Sequence, residues 1–358
     1  MSWESKVRIT VPYVAGEQPK DKKIIKLNTN ECPYPPAPGV KDAIRELQDR
    51  SDDLRLYPDM NASALTDALA DFYGISSDKI FVGVGSDDVL ALCFLTFFTS
   101  GSPILFPDIT YSFYPVWADL FKIPYKQIPL NEEFAIDPYE YMPQLTKVKN
   151  GGIIFPNPNA PTGREEPLSK IERIVRANPD SVVIIDEAYI DFGGTSALSL
   201  IDQYDNLLVV QTFSKSRSMA GIRIGFAMGN EKLIGYLKDV KFSFNSYTMN
   251  LPSIMIGKAA VEDRAYFEET TAKIVNTRER FKEELTSLGF IMPDSKANFV
   301  FARHPQFSGE ELFTKLRERK ILVRHWNKPD ISDFLRITIG TDPQMDAVID
   351  ALREITAQ

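Results

Sequence analysis

Chemistry in this chain is concentrated in three short segments. The first, TFSKSRSMAGIRIG (212–225), places Lys215 among Thr212, Ser214 and Arg223 in a loop rich in small residues. Hydroxyls donate hydrogen bonds and a guanidinium grips phosphate through two parallel N–H contacts, so this set suits a phosphate monoester. A solvated basic loop has the same composition, and the segment alone leaves both readings open. The second, SVVIIDEAYI (181–190), ends an apolar run in Asp186 and Glu187, with Tyr189 three residues past the aspartate. A carboxylate at a strand's carboxyl end can hold a cationic ring nitrogen, a metal or a substrate amine, or it can simply end the strand. P-loop ATPases carry a similar acidic pair, but no G-x-x-x-x-G-K-[ST] cradle occurs here. The third, FVGVGSDD (81–88), brings Gly85, Ser86 and Asp87 to a helix start. Free backbone N–H groups there attract an anion, although Ser86 or Asp87 serves equally well as an N-cap.

A lysine amine beside a phosphate site and a carboxylate is what a pyridoxal 5'-phosphate (PLP) Schiff base requires. The elements that must position these groups follow from periodicity. Over 62–229, short β-branched runs at 79–84, 103–106, 125–128, 152–155, 182–186, 207–212 and 222–228 alternate with helix-like stretches such as 62–73 and 87–98. Most of the runs are apolar on both faces, as in a parallel sheet covered by helices, and such sheets bind ligands at their carboxyl ends. Beyond 229, a long charged helix at 261–288 and short strands at 298–302, 322–324 and 334–339 predict a smaller α+β unit. The fold class is therefore α/β with a mostly parallel sheet plus a smaller α+β domain, divided as 1–45 (an arm shared with the small domain), 46–250 and 251–358. The Pro-rich 32–38 stretch excludes a regular helix or central strand there.

The 358 residues suffice for two domains, and 44% hydrophobic with 25% charged content is ordinary for a globular protein. No run approaches the roughly 18 apolar residues of a membrane helix, and the polar N-terminus lacks a secretory core, so the expected compartment is the cytoplasm. Two cysteines and two histidines exclude a disulfide framework and a His- or Cys-rich metal site, and a net charge of −8 gives nucleic acid no hold. The expected partners are small molecules. One further residue stands out: Arg336 interrupts the apolar pattern FLRITI, and an unpaired buried cation there is costly enough to demand a partner.

In combination, GVGSDD (83–88), NPNAPTG (157–163), DEAYIDF (186–192), TFSKSRSMAGIRIG and FLRITIG (334–340) resemble the fold type I PLP aminotransferases. Within them, the chain is most similar to the histidinol-phosphate aminotransferase family, over about 27–340. The resemblance implies an aspartate aminotransferase-like large domain. In it, Lys215 forms the Schiff base with PLP and moves the substrate proton, Asp186 keeps the pyridine nitrogen protonated, and Tyr189 bonds the ring's phenolic oxygen. Tyr111, in ITYSFY, stacks on the ring. Gly85, Ser86, Asp87, Ser214, Arg223 and Thr212 hold the phosphate, and Tyr57, in LYPD, reaches the cofactor of a neighbouring subunit, making a homodimer the catalytic unit. Arg336 binds the substrate α-carboxylate and Arg324, in LVRHWN, the substrate phosphate. Two departures affect the pocket. Ala160 stands where relatives have an asparagine, which moves the cofactor contact to Asn159 with Asn157 as alternative. LNTNECPYPP carries Cys32 where asparagine is usual, leaving Tyr34 and Asn30 as substrate neighbours. The implied reaction is amino transfer from histidinol phosphate to 2-oxoglutarate, a 2-oxo acid acceptor, through ping-pong kinetics. Trp326 keeps an aromatic amino-acid aminotransferase as the alternative, and a phosphothreonine decarboxylase or a noncatalytic PLP-binding module shares the frame.

Overall fold

The computed structural model describes residues 2–21, 23–147 and 149–357. Its centre is a seven-stranded sheet in the order Ile80–Gly83, Gly225–Gly229, Leu207–Thr212, Val183–Asp186, Ile153–Pro156, Ile104–Pro107, Tyr125–Ile128. The last five strands run parallel, whereas Gly225–Gly229 is antiparallel to both its neighbours. The inner strands are buried along their whole length, which is why they read as unbroken apolar runs, while Tyr125–Ile128 is an exposed edge. Their carboxyl ends turn into the loops that hold Asp186 and Lys215.

A three-stranded antiparallel sheet, Arg324–His325, Phe334–Thr338 and Phe299–Arg303, packs with helices Arg264–Ser287 and Asp342–Thr356 around a separate apolar cluster. The N-terminal part joins this cluster, because Ile25–Lys26 pairs in parallel with Ile321–Leu322.

Three boundaries depart from the periodicity. The strand expected at 222–228 starts only at Gly225, because Arg223 adopts a left-handed backbone (φ 60°) that keeps 222–224 in a turn. Residues 261–262 close a separate helix, Leu251–Glu262, and the helix expected at 261–288 starts instead at Arg264, as Arg264–Ser287, capped by Asp263, whose side chain accepts from Tyr266 N. The first of these packs into the core of the large sheet through Ile254, Ile256 and Ala260. The strand expected at 322–324 divides at Val323, so that Ile321–Leu322 and Arg324–His325 serve different sheets. The Pro-rich stretch is irregular until Pro38, which opens the helix Pro38–Asp49. Among the described residues no helix is long and apolar enough to cross a membrane, and no three potential metal ligands cluster.

Candidate active site

Between the carboxyl ends of the large sheet and the small antiparallel sheet lies a cavity of about 340 Å3. Lys215 and Asp186 both line it, brought there by neighbouring parallel strands. The Lys215 ammonium donates to Thr29 O at 3.2 Å and, among the described residues, has no carboxylate within ion-pair distance. Burial, helped by the Arg336 charge, pulls this amine down to about 8, so an appreciable neutral fraction exists near neutrality. Asp186 is 4% exposed; its Oδ2 accepts from Tyr114 Oη at 2.9 Å, and its Oδ1 is buried without a partner. Burial pushes this carboxyl up to about 6, against the Tyr114 hydrogen bond, the Ala188 N–H and the Lys215 charge. A cationic N–H donor at Oδ1 would remove that penalty.

Gly85 caps the helix Ser86–Phe97 with φ 86°, and a Cβ there would fall 2.5 Å from Arg223 Nη2. Glycine thus lets the Arg223 guanidinium lie against the first turn. Arg223 Nη2 meets Asp87 Oδ2 at 3.1 Å and Nη1 donates to Ser214 Oγ at 3.3 Å, while Thr212 Oγ1 donates to Ser214 Oγ at 3.1 Å. Tyr111 Oη donates to the other Asp87 oxygen at 2.8 Å. Helix N–H groups, two hydroxyls and a guanidinium therefore converge at one end of the cavity, the donor set that a phosphate monoester needs.

At the other end, Arg324 and Arg336 stand opposite each other in register on antiparallel strands. Their guanidinium carbons lie 5.4 and 5.2 Å from the same Trp326 ring. Arg336 Nη2 donates to Asn28 O at 2.9 Å, its Nε is buried without a partner, and no carboxylate pairs with it among the described residues. Tyr189 Oη, 8% exposed, accepts from Asn30 Nδ2 at 2.9 Å, and Asn30 Oδ1 in turn accepts from Thr338 Oγ1.

Residues 22–352 match the family Aminotransferase class I and II. The chain belongs to that family. As an aminotransferase of this class it is 52% identical to the histidinol-phosphate aminotransferase of Lactococcus lactis subsp. cremoris (strain MG1363), over 99% of this chain and 98% of the relative. It is 54% identical to histidinol-phosphate aminotransferase 2 of Dechloromonas aromatica (strain RCB), over 99% of each. Among solved structures, the histidinol-phosphate aminotransferase of Sinorhizobium meliloti in complex with pyridoxal-5'-phosphate superposes with a TM-score of 0.84 at 23% identity, covering 93% of this chain and 91% of that one. The Clostridium acetobutylicum enzyme gives 0.83 at 25% identity, covering 93% and 99%.

Four of this aminotransferase's expected site residues, Gly85, Asn159, Tyr34 and Tyr57, lie off the cavity wall. Asn159 gives its amide hydrogens to Ile109 O and Thr162 Oγ1, both at 3.0 Å, and keeps its Oδ1 free, whereas Asn157 is bound on both sides by the Glu166 backbone. Tyr34 packs beside Lys273, 5.6 Å from its ammonium. Tyr57 is 82% exposed and stacks on Tyr247 at 4.6 Å. Conversely, sequence reasoning missed Tyr114, Tyr13 and Gly16. Tyr114 is hidden in the apolar helix Phe113–Phe121, where an aromatic reads as core. Tyr13 and Gly16 belong to an irregular N-terminal arm with no pattern to single them out, yet Tyr13 stacks on Phe113 at 4.2 Å and both line the cavity.

Proposed function

We propose that this aminotransferase moves an amino group from histidinol phosphate to 2-oxoglutarate, giving imidazole acetol phosphate and glutamate, with PLP held between Asp186 and Lys215. The observation that carries the substrate assignment is the Arg324–Arg336 pair, two adjacent cavity-lining guanidiniums with which no carboxylate forms an ion pair among the described residues. Histidinol phosphate bears its phosphate on the Cα substituent that in glutamate is the α-carboxylate, so one cationic end serves both substrates. Arg336 takes the α-carboxylate and Arg324 the phosphate, each lending charge to the other's ligand. The same placement favours an anion over an aromatic side chain, since both guanidiniums already engage Trp326.

The unpartnered Asp186 Oδ1 and the donor set around Gly85 fit PLP. Asp186 would accept the pyridine N–H, while the Ser86 and Asp87 N–H groups, Thr212, Ser214 and Arg223 would hold the phosphate. When bound, PLP supplies an aldehyde carbon for imine exchange and a ring that takes up the electron pair left at the substrate's Cα. With that group bound, Lys215 Nζ would be the base that takes the proton from the substrate's Cα and the acid that gives it back. Its lowered basicity suits it to both halves of that transfer. Tyr189, oriented by Asn30, would donate its hydroxyl to the ring's phenolic oxygen, Tyr111 would pack on the ring, and Asn159 would supply the asparagine contact to the cofactor.

Tyr57, exposed on the single chain beside Tyr247, would reach the phosphate of a neighbouring subunit's cofactor in a homodimer, and the enzyme would work in the cytoplasm. The proposed division at 45 and 250 into arm, large and small units runs through the helix Pro38–Asp49, whose Val40 and Ala43 pack in the large unit's core, as does the helix Leu251–Glu262.

A panel of amino donors with 2-oxoglutarate, scored by glutamate formed, tests the assignment. Histidinol phosphate should exceed phenylalanine and tyrosine in kcat/KM by at least the roughly 30-fold that one charge-assisted contact of about 2 kcal/mol confers. Inactivity with histidinol phosphate alongside rapid turnover of phenylalanine would transfer the assignment to aromatic amino acids.

A further inference from the structure

Of the two adjacent carboxylates that end the central apolar strand, only Asp186 meets the cavity. Glu187 is turned away from it, 1% exposed, and accepts three hydrogen bonds: from Gln211 Nε2 at 2.9 Å, Ser196 Oγ at 2.6 Å and Ala197 N at 2.7 Å. Gln211 Oε1 accepts in turn from Tyr73 Oη at 2.6 Å. Further along the same segment, Asp191 Oδ2 accepts from Ser216 Oγ at 2.5 Å. Gln211 lies on the strand that feeds the Lys215 loop, and Ser216 is the next residue after the lysine. The loop bearing Lys215 is thus tied on both sides of the lysine to the segment bearing Asp186.

Neither Glu187 nor Asp191 lines the cavity, so neither serves the proton transfer directly. Among the described residues no cation pairs with Glu187, and a buried carboxylate without a counter-ion is a costly way to fill space. Its three donors compensate that cost only while all of them are satisfied.

We infer that Glu187 and Asp191 are positioning residues of the transamination site, setting the placement of Lys215 against Asp186 across the bound ring. This rests on the proposed roles of Lys215 and Asp186, and extends them to two acidic residues of DEAYID that those roles do not use. Glu187→Gln replaces one acceptor oxygen by a donor among three converging donors. Flipping Gln211 only passes the mismatch to the Tyr73 hydroxyl. Exchanging the pair, Glu187→Gln with Gln211→Glu, keeps an oxygen for Ala197 N and gives both the new amide N–H and the Tyr73 hydroxyl a carboxylate acceptor, with Ser196 Oγ turned from donor to acceptor.

The test is made on the PLP-loaded protein. E187Q should lower kcat roughly 10- to 100-fold, the scale expected for a sub-ångström to ångström displacement of a reacting group, with KM for the amino donor within about twofold. It should also move the pH midpoint of the bound-PLP absorbance, which reports the lysine–ring contact without any amino donor. The double exchange E187Q/Q211E should recover both readouts. D191A should act in the same direction, whereas D191N, whose amide oxygen still accepts from Ser216, should stay near wild type. Unchanged absorbance midpoints and kcat in E187Q and D191A overturn the inference, as does a double exchange that regains wild-type Tm but not the midpoint. Should E187Q fail to fold, the contrast between D191A and D191N decides. An outcome of the donor panel that reassigns the substrate leaves the absorbance titration intact, so the two failures are separable.

Discussion

Replacing Arg336 by methionine distinguishes a cation held for a ligand from one held for the fold. Were Arg336 half of a structural ion pair, its removal would strand a buried carboxylate and cost about 3–5 kcal/mol. Among the described residues no carboxylate pairs with Arg336: the side chain donates to Asn28 O at 2.9 Å and faces Arg324 across the register. Losing that bond costs about 1 kcal/mol. Removing a desolvated cation beside a second one returns a similar amount, and a methionine between Phe299 and Trp326 keeps the apolar contact. The net effect on stability should lie within about 1–2 kcal/mol of zero, a change in Tm of no more than roughly 4 °C. Function should respond far more strongly. Truncating one partner of a buried charge-assisted contact costs about 2–5 kcal/mol, so kcat/KM for the amino donor should fall by roughly 30- to 4000-fold. Thermal unfolding of the PLP-loaded protein and steady-state kinetics on the same preparation measure both quantities. A large fall in Tm with little change in kcat/KM refutes the assignment and makes Arg336 a structural residue.

Three other outcomes follow from the geometry. Because burial depresses the Lys215 amine to about 8, and only the neutral amine attacks an aldehyde, the rate at which apoprotein captures PLP should rise with pH through about 8; an inflection at the ordinary lysine value near 10.5 contradicts this. Gly85→Ala places a Cβ 2.5 Å from Arg223 Nη2 at a φ of 86°, so it should weaken PLP binding by about 1–3 kcal/mol, read by fluorescence titration, while a Kd unchanged within a factor of two removes Gly85 from the phosphate site. Chains carrying K215A and chains carrying Y57A, each inactive alone, should regain activity when mixed, because the hybrid has one site with an intact lysine and an intact neighbouring tyrosine; persistent inactivity of verified hybrids sinks the shared-site arrangement.

Lys215 and Asp186 stood out because Asp186 ends an apolar run and Lys215 follows another in a loop of small residues, both where a parallel sheet presents its loops, and their combination, not either segment alone, carried the reading. The same logic exposed Arg336, a charge inside FLRITI. Elements fared likewise, since fully buried strands announce themselves by continuous β-branched residues. The exceptions share a cause, namely that the deciding interaction is distant in the chain or depends on backbone geometry. Arg223 delays its strand through a left-handed φ that arginine rarely adopts, and nothing local foretells it. Asp263, by contrast, is a recognisable N-cap that the charged helical pattern obscured. Tyr114 supports Asp186 from an apolar helix, a pairing that exists only once the helix is folded against the sheet. Asn159 and Tyr34 came from motif resemblance, and motifs record residue types without saying which way a side chain faces.

The opposed arginines also limit how this chain can vary. Successive side chains on a strand alternate between faces, so a one-residue insertion or deletion in the loop joining Arg324 to Arg336 that shifts the pairing would turn one guanidinium out of the cavity. That connection must also keep Trp326, which both guanidiniums face, and Lys328 and Ile331, which line the cavity, and a change that shifts the register by one residue should abolish the proposed anion recognition. Substrate choice is in this sense a property of parity, and hairpin variants whose pairing slips by one residue should lose activity.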